Sequence, residues 1–140
     1  MRVFVDTSAF YALADKSDRR HRSAVRVYEG LVGRSQLMTT DHVLVECWFL
    51  ISHRLGRDAA LKFWDALHSG IVELIPVEPG DLRTARRIMD AFPDQDFSLV
   101  DATSFAVMER LDIIKAFTFD AHYRVYRFGK GRERTFDVIP

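Results

Sequence analysis

The sequence predicts an α/β domain whose mainly parallel sheet is covered by helices on both faces. Three observations carry that expectation. Hydrophobic periodicity switches between strand-like and helical spacing several times along the chain. The strand-like runs are separated by helical ones instead of tight hairpin turns. No repeat, low-complexity segment or Ser/Gly linker interrupts the alternation. At 140 residues the chain is expected to form one domain, residues 1–140, large enough to close a core without staples.

"RVFV" (Arg2 to Val5) reads as the first strand, followed by a short helix over Ala9 to Ala14 and a longer one over His21 to Leu31. "LMTT" is a brief second strand. Thr40 or Asp41 caps a helix running to about Arg54, Gly56 ends it, and Arg57 to His68 form another helix closed by Gly70. "VELIPV" is rich in strand formers, and Pro79 suits the first turn of a helix that "FPDQDF" terminates. Ser98 caps a helix reaching Arg110. "IIKAFTF" follows as a strand, Ala121 to Arg127 as a short helix, "FGKGRER" as a turn and "TFDVIP" as the last strand. Ligands of such sheets sit beyond the carboxyl ends of the strands.

Composition narrows the classes. A hydrophobic fraction of 48% with 29% charged residues belongs to a folded globule and excludes disorder. Cys47 is the single cysteine, so neither an internal disulfide nor a Cys-rich zinc site can form, and a reducing cytoplasm is the expected setting. Only Val3, Phe4 and Val5 precede Asp6 as an apolar run, too short for a signal peptide. "VLVECWFLI" is broken by Glu46 and falls short of the ~20 residues a bilayer span needs, so no membrane segment is expected. Twenty basic and twenty acidic residues cancel, leaving only local charge to indicate partners.

Four carboxylates stand where chemistry is expected. Asp6 directly follows the first strand and Asp120 follows "AFTF"; each also suits the N-cap of the next helix. Asp101 follows Ser98 by three positions, the spacing of a capping box. Glu46 lies within the apolar helix "HVLVECWFLISH", where little surface is expected to be left for water and a buried carboxylate requires a partner. A parallel sheet would collect Asp6, Asp101 and Asp120 at one edge, with Glu46 projecting from a neighbouring helix. Like charges about 4 Å apart repel by roughly 4 kcal/mol per pair at an effective dielectric of ~20. A hard divalent cation, Mg²⁺ or alternatively Mn²⁺, resolves that repulsion with oxygen ligands. The histidines lack ligand spacing, which disfavours zinc.

These residues together resemble a PIN-domain ribonuclease, and most closely the VapC-type toxins of toxin–antitoxin pairs. "FVDTSAFYALAD", "TTDHVLVECWFLI", "SLVDATSFAVM" and "AFTFDAHY" match the family's four acidic motifs in order over essentially the whole chain. The resemblance implies a three-layer α/β/α sandwich and a metal-dependent endoribonuclease. Asp6, Glu46, Asp101 and Asp120 would be catalytic, with Asp6, Asp101 and Asp120 contacting the metal. Thr7 and Thr118 would orient ligands or water, while Asp96, in the "PDQDF" loop, reads as a surface acid. An RNA substrate, a cognate antitoxin and a homodimer are the implied partners.

"AHYRVYRFGKGRER" places Arg124, Arg127 and Lys130 beside Asp120, with Tyr123, Tyr126 and Phe128 between them. Basic groups can follow an RNA backbone and aromatic rings can stack bases; alternatively the rings pack inward. "DRRHR" is a second basic run. Phe10, Tyr11, Leu13, Val25, Tyr28 and Leu31 form either core or an antitoxin groove. A dehalogenase-type phosphatase would need an acid where Ser8 stands, and a receiver domain an acid pair at the first strand. A housekeeping RNA-processing PIN nuclease and a non-catalytic binding module are the remaining alternatives.

Overall fold

The computed structural model describes residues 1–140. Five strands, β1 (Arg2–Val5), β2 (Gln36–Thr40), β3 (Val72–Ile75), β4 (Lys115–Phe117) and β5 (Asp137–Ile139), form one sheet in the order β3-β2-β1-β4-β5. Every neighbouring pair is parallel, with Phe4 opposite Met38 on one side and Ala116 on the other. Seven helices intervene: α1 (Thr7–Ala14), α2 (His21–Leu31), α3 (Asp41–Leu55), α4 (Arg57–Leu67), α5 (Pro79–Ala91), α6 (Leu99–Arg110) and α7 (His122–Val125). Val3, Phe4 and Val5 are all buried. Successive strand residues point to opposite faces, so β1 is covered on both.

The strand order reverses at β1. The chain proceeds outward from β1 to β2 and β3, then returns to place β4 on β1's other flank. Such a reversal opens a crevice between the carboxyl ends of the two strands concerned. Here that crevice lies between Asp6, after β1, and Thr118–Asp120, after β4.

Local chemistry sets the element boundaries. Asp6 caps α1 through Ser8 N, so the helix starts at Thr7, earlier than the expected Ala9. Thr40 Oγ1 accepts from Val43 N at 3.1 Å to open α3. Gly56, at φ +96°, joins α3 to α4 in a conformation that a side chain would strain. Two strands are shorter than the sequence suggests. β3 ends at Ile75 because Pro76 offers no N–H to a ladder. Within "IIKAFTF" only Lys115–Phe117 pair, since Ile113 N is spent closing α6 on Met108 O and Thr118 onward turns into the crevice.

The expectation that α3 presents little surface to water fails for Val45 and Phe49, which are 51% and 69% exposed. One side of α3 packs on α1, α4 and α6; Val45 and Phe49 face away from it. The core is one cluster of 35 buried apolar residues. At its α6–α7 end, Phe105 stacks on Tyr126 at 4.6 Å and meets Tyr123 edge-on at 4.9 Å. Phe97, Phe128 and Phe136 complete this aromatic packing.

An ion pair braces the helix that carries Asp101. Arg110 at the end of α6 donates from Nε and Nη2 to the two oxygens of buried Asp81 on α5, both at 2.8 Å. Burial raises the Asp81 pKa, but the Arg110 guanidinium and the Glu78 backbone N–H outweigh it and hold the carboxyl below its ordinary value. Arg110→Ala leaves Asp81 unpaired and is expected to cost about 3 kcal/mol in urea unfolding. The double variant Asp81→Leu with Arg110→Met should lose distinctly less, because no buried charge is stranded.

Candidate active site

Asp6 occupies the crevice floor at 3% exposure. Its Oδ2 accepts from Ser8 Oγ and Thr118 Oγ1, both at 2.9 Å, and its Oδ1 accepts from the buried Tyr123 hydroxyl at 3.1 Å. The α1 cap, β4 and α7 therefore meet on one carboxylate. Thr118 Oγ1 also accepts from Asp120 N at 2.9 Å, and Ser8 Oγ accepts from Phe119 N at 2.9 Å. These bonds fix the turn that delivers Asp120.

Asp101 approaches from α6. The capping box forms as the spacing predicts: Ser98 Oγ accepts from Asp101 N, and Asp101 Oδ2 accepts from Ser98 N, each at 3.0 Å. The same Oδ2 lies 3.0 Å from His122 Nδ1, which is also 3.4 Å from Asp120 Oδ1. Asp120 Oδ1 in turn accepts from His122 N, the first residue of α7, at 2.9 Å. One potential ligand atom from each of Asp101, Asp120 and His122 lies within 4.8 Å of the others. Glu46 enters half-buried from α3, close enough for Asp6 and Asp120 to act on its charge.

The electrostatics follow from burial and crowding. Burial raises the Asp101 pKa, the Asp120 and Asp6 charges add to it, and the carboxyl is pushed up to about 6 despite hydrogen bonds from Ser98 and His122. Burial also raises Asp6, which its hydroxyl donors only partly offset, and Glu46, where the Asp6 and Asp120 charges reinforce the effect. Tyr123 is raised well above its ordinary value by burial and by Asp6 and Asp101, so it remains a hydrogen-bond donor. A pocket that resists its own negative charge favours uptake of protons or of a cation.

Of the residues singled out from the sequence, Asp6, Glu46, Asp101, Asp120 and Thr118 converge here. Thr7 is buried beside them, with its hydroxyl close enough to the Glu46 carboxylate to lower that group's pKa against the effect of burial. Asp96 is exposed on the loop before α6 and stands outside the cluster. The histidine expectation needs correction: His122 has no sequence-spaced partner histidine, yet folding sets it between two aspartates. Tyr123 and Ser8 were also missed as site residues; the signal available was their spacing from Asp120 and Asp6. Tyr123, Tyr126 and Phe128 are buried, so they pack inward and are not free to stack bases. Arg124, Arg127 and Lys130 remain exposed, although Arg127 Nη1 is engaged with Arg124 O at 2.7 Å.

A doubly wound α/β domain with carboxylates gathered at its reversal point fits the class of hydrolases that work through an acidic site. Comparison with known proteins makes the assignment specific. The PIN domain model matches residues 3–129. The 23S rRNA-specific endonuclease VapC20 of Mycobacterium tuberculosis is 34% identical over 126 residues, covering 90% of this chain and 95% of that protein. Ribonuclease VapC26 of the same species is 28% identical over 140 residues, covering 99% and 100%. The crystal structure of VapC20, described as a sarcin–ricin loop cleaving toxin, superposes with a TM-score of 0.80 over 85% of this chain and 90% of that one. The VapBC2 complex of Rickettsia felis, at 12% identity and a TM-score of 0.70 over 89% and 92%, shares the fold. The chain belongs to the PIN-domain family. Within it the VapC-type ribonucleases are its relatives, and the protein is a nuclease of that hydrolase class. No helix is long and apolar enough to cross a membrane.

The Asp101 pKa gives a testable pH dependence. Its folded value, about 6, exceeds the ordinary 3.8, so the folded state binds the proton more tightly than the unfolded chain. The metal-free protein should therefore lose stability as pH rises from about 4 to about 6. Asp101→Asn removes that penalty while retaining an oxygen for the Ser98 cap. Its thermal midpoint without metal should match wild type near pH 4 and exceed it above pH 6, by the equivalent of about 3 kcal/mol.

Proposed function

We propose that the chain is the toxin of a toxin–antitoxin pair, hydrolysing RNA phosphodiester bonds at Asp6, Glu46, Asp101 and Asp120 with Mg²⁺, or Mn²⁺ in its place. The observation that carries this reading is the convergence of four sequence-distant carboxylates at the β1–β4 crevice, at a cost that a bound cation would relieve while leaving all four charged. The donor set fits a hard divalent ion. Asp6, Asp101 and Asp120 supply carboxylate oxygens, and the buried Thr7 hydroxyl beside Glu46 supplies a further oxygen. Such an ion, when bound, polarises a phosphate oxygen and acidifies a water molecule.

The chain's own residues do the rest. Ser8, Thr118 and Tyr123 lock both Asp6 oxygens, so the carboxylate cannot rotate away when substrate arrives. Asp101, which burial and the Asp120 charge push toward its protonated form, would be drawn to its charged, ligating form with an ion bound. Glu46 and Asp120 complete the site and position water. His122 holds an N–H against Asp101 and keeps α7 docked on α6. Arg124, Arg127 and Lys130 contribute positive surface for the RNA, and the 23S rRNA for which one relative, VapC20, is named makes ribosomal RNA the first substrate to test.

The antitoxin reading rests on the apolar groove between α1, α2 and α4. Phe10, Leu13, Tyr28, Phe63 and Leu67 line a cavity of about 540 Å³ rimmed by Lys16 and Lys62. Leu13 and Tyr28 are its partly exposed wall, whereas Tyr11 and Leu31 are core. An apolar segment with acidic flanks suits this groove. Exposed Val45, Phe49, Leu61 and Trp64 on α3 and α4 support a homodimer, and the single thiol, buried Cys47, suits a cytoplasmic setting.

Inducible expression of wild type should arrest growth and generate new RNA ends, while Asp101→Asn should do neither and still fold. Growth arrest without new ends would overturn the nuclease reading, and new ends without arrest would favour a processing enzyme. In the purified protein, chelation should abolish cleavage and Mg²⁺ should restore it. Tyr28→Asp, on the partly exposed wall of the groove, should leave RNA cleavage intact and abolish rescue by the partner encoded beside it.

A further inference from the structure

Arg20 and Arg124, 104 positions apart, line one small cavity of about 180 Å³ beside Asp120. Thr118, Asp6's hydroxyl donor, belongs to the same wall, so the cavity adjoins the carboxylate cluster. Asp120 is the one acidic side chain in its lining. Two arginines and a single acidic side chain thus line one space.

Both arginines are held in place. Arg20 lies over the Phe119 ring at 5.3 Å and donates from Nη1 to Phe119 O at 3.2 Å. Its loop is ordered by Asp18 Oδ1, which accepts from Arg20 N at 2.8 Å, and by Asp15 Oδ1, which accepts from Ser17 N at 3.0 Å. Arg124 donates from Nη2 to Pro140 O at 2.7 Å. A guanidinium carries five N–H donors in a rigid fork, so each retains most of its donors. Stacking and anchoring remove much of the rotamer entropy that an exposed arginine loses on binding.

We infer that Arg20 and Arg124 form a clamp for a non-scissile backbone phosphate of the RNA, fixing the strand's register across the carboxylate cluster. The inference rests on the RNA-cleavage reading and adds a positioning site to it. Planar forks match phosphate oxygens. A phosphodiester strand bound at the carboxylates carries a neighbouring phosphate close by. The contact is to backbone alone, so it is independent of base sequence.

The test is anisotropy of a short fluorescein-labelled oligouridine bound to the full chain, in the Asp101→Asn background with Mg²⁺, over a KCl series. Arg20→Gln and Arg124→Gln should each weaken binding about tenfold. Each should also flatten the log Kd against log salt slope by about 0.7, the value for one lost phosphate contact on a single strand. Arg20→Lys should retain the salt slope, because the charge remains, while losing part of the affinity with the fork. Arg86→Gln, on the outer side of α5, is the control and should match the parent; unchanged thermal midpoints exclude misfolding.

Absence of oligouridine binding by the parent, or parental affinity and slope in both arginine variants, overturns the clamp. The second result would leave the cavity to an acidic protein side chain. An equal loss in Arg86→Gln also overturns it, by making the effect one of net charge. Failure of the underlying reading is distinguishable: it appears as RNA cleavage by Asp101→Asn in the otherwise wild-type chain, whatever the arginines do.

Discussion

Mutual repulsion among carboxylates at the β1–β4 crevice is the constraint to which the rest of the structure answers. Two of the four, Asp6 and Asp101, are nearly inaccessible to water. Two unit charges about 4 Å apart interact by roughly 4 kcal/mol even at an effective dielectric of ~20. The fold opposes this with oriented dipoles. Asp6, Asp101 and Asp120 each accept a backbone N–H in the first turn of α1, α6 or α7. The α1 and α6 termini add the partial positive charge of a helix start. Ser8, Thr118 and Tyr123 supply hydroxyl donors to Asp6. These interactions hold the site together without neutralising it, and the residual negative potential is what a cation would use.

The distant packing serves the same geometry. Tyr123 reaches Asp6 because its ring is fixed between Phe105 and Phe136, so the aromatic cluster at the α6–α7 end positions a hydroxyl as well as stabilising the core. Arg110 and Asp81 hold α6 against α5, and α6 carries Asp101 in its first turn. Glu109 on α6 accepts from the Tyr126 hydroxyl at 2.6 Å, tying α7's end to the same helix. Side chains far from the crevice thereby determine the separation of acids within it.

Capping and chemistry are one role here. A carboxylate at a helix start is ordinarily a local stabiliser worth ~1 kcal/mol. Three such caps facing one another are locally favourable and collectively unfavourable. That conflict between local and collective terms is typical of functional sites, which retain strain that the surrounding core must over-determine. It also explains why each acid taken alone had an adequate structural reading from sequence, and why only their convergence distinguishes a site from three ordinary caps.

The alternation of strand and helix, the capping box at Ser98, the cap at Thr40 and the four acids were legible because each depends on residues a few positions apart, where backbone geometry is set by local sterics and hydrogen bonding. The four motifs in order also carried the family. Strand order, the inward rotation of Tyr123 and Tyr126, the water-facing side of α3 and the insertion of His122 between Asp101 and Asp120 were not legible. Each depends on contacts between segments far apart in the chain, and hydrophobic periodicity cannot say which surface will meet which. The sequence by itself determined which oxygens stand at element ends. Tertiary structure alone decided that these ends would share one crevice, because β4 returning beside β1 is what brings Asp120 to Asp6, and a field of that strength exists only where charges are close.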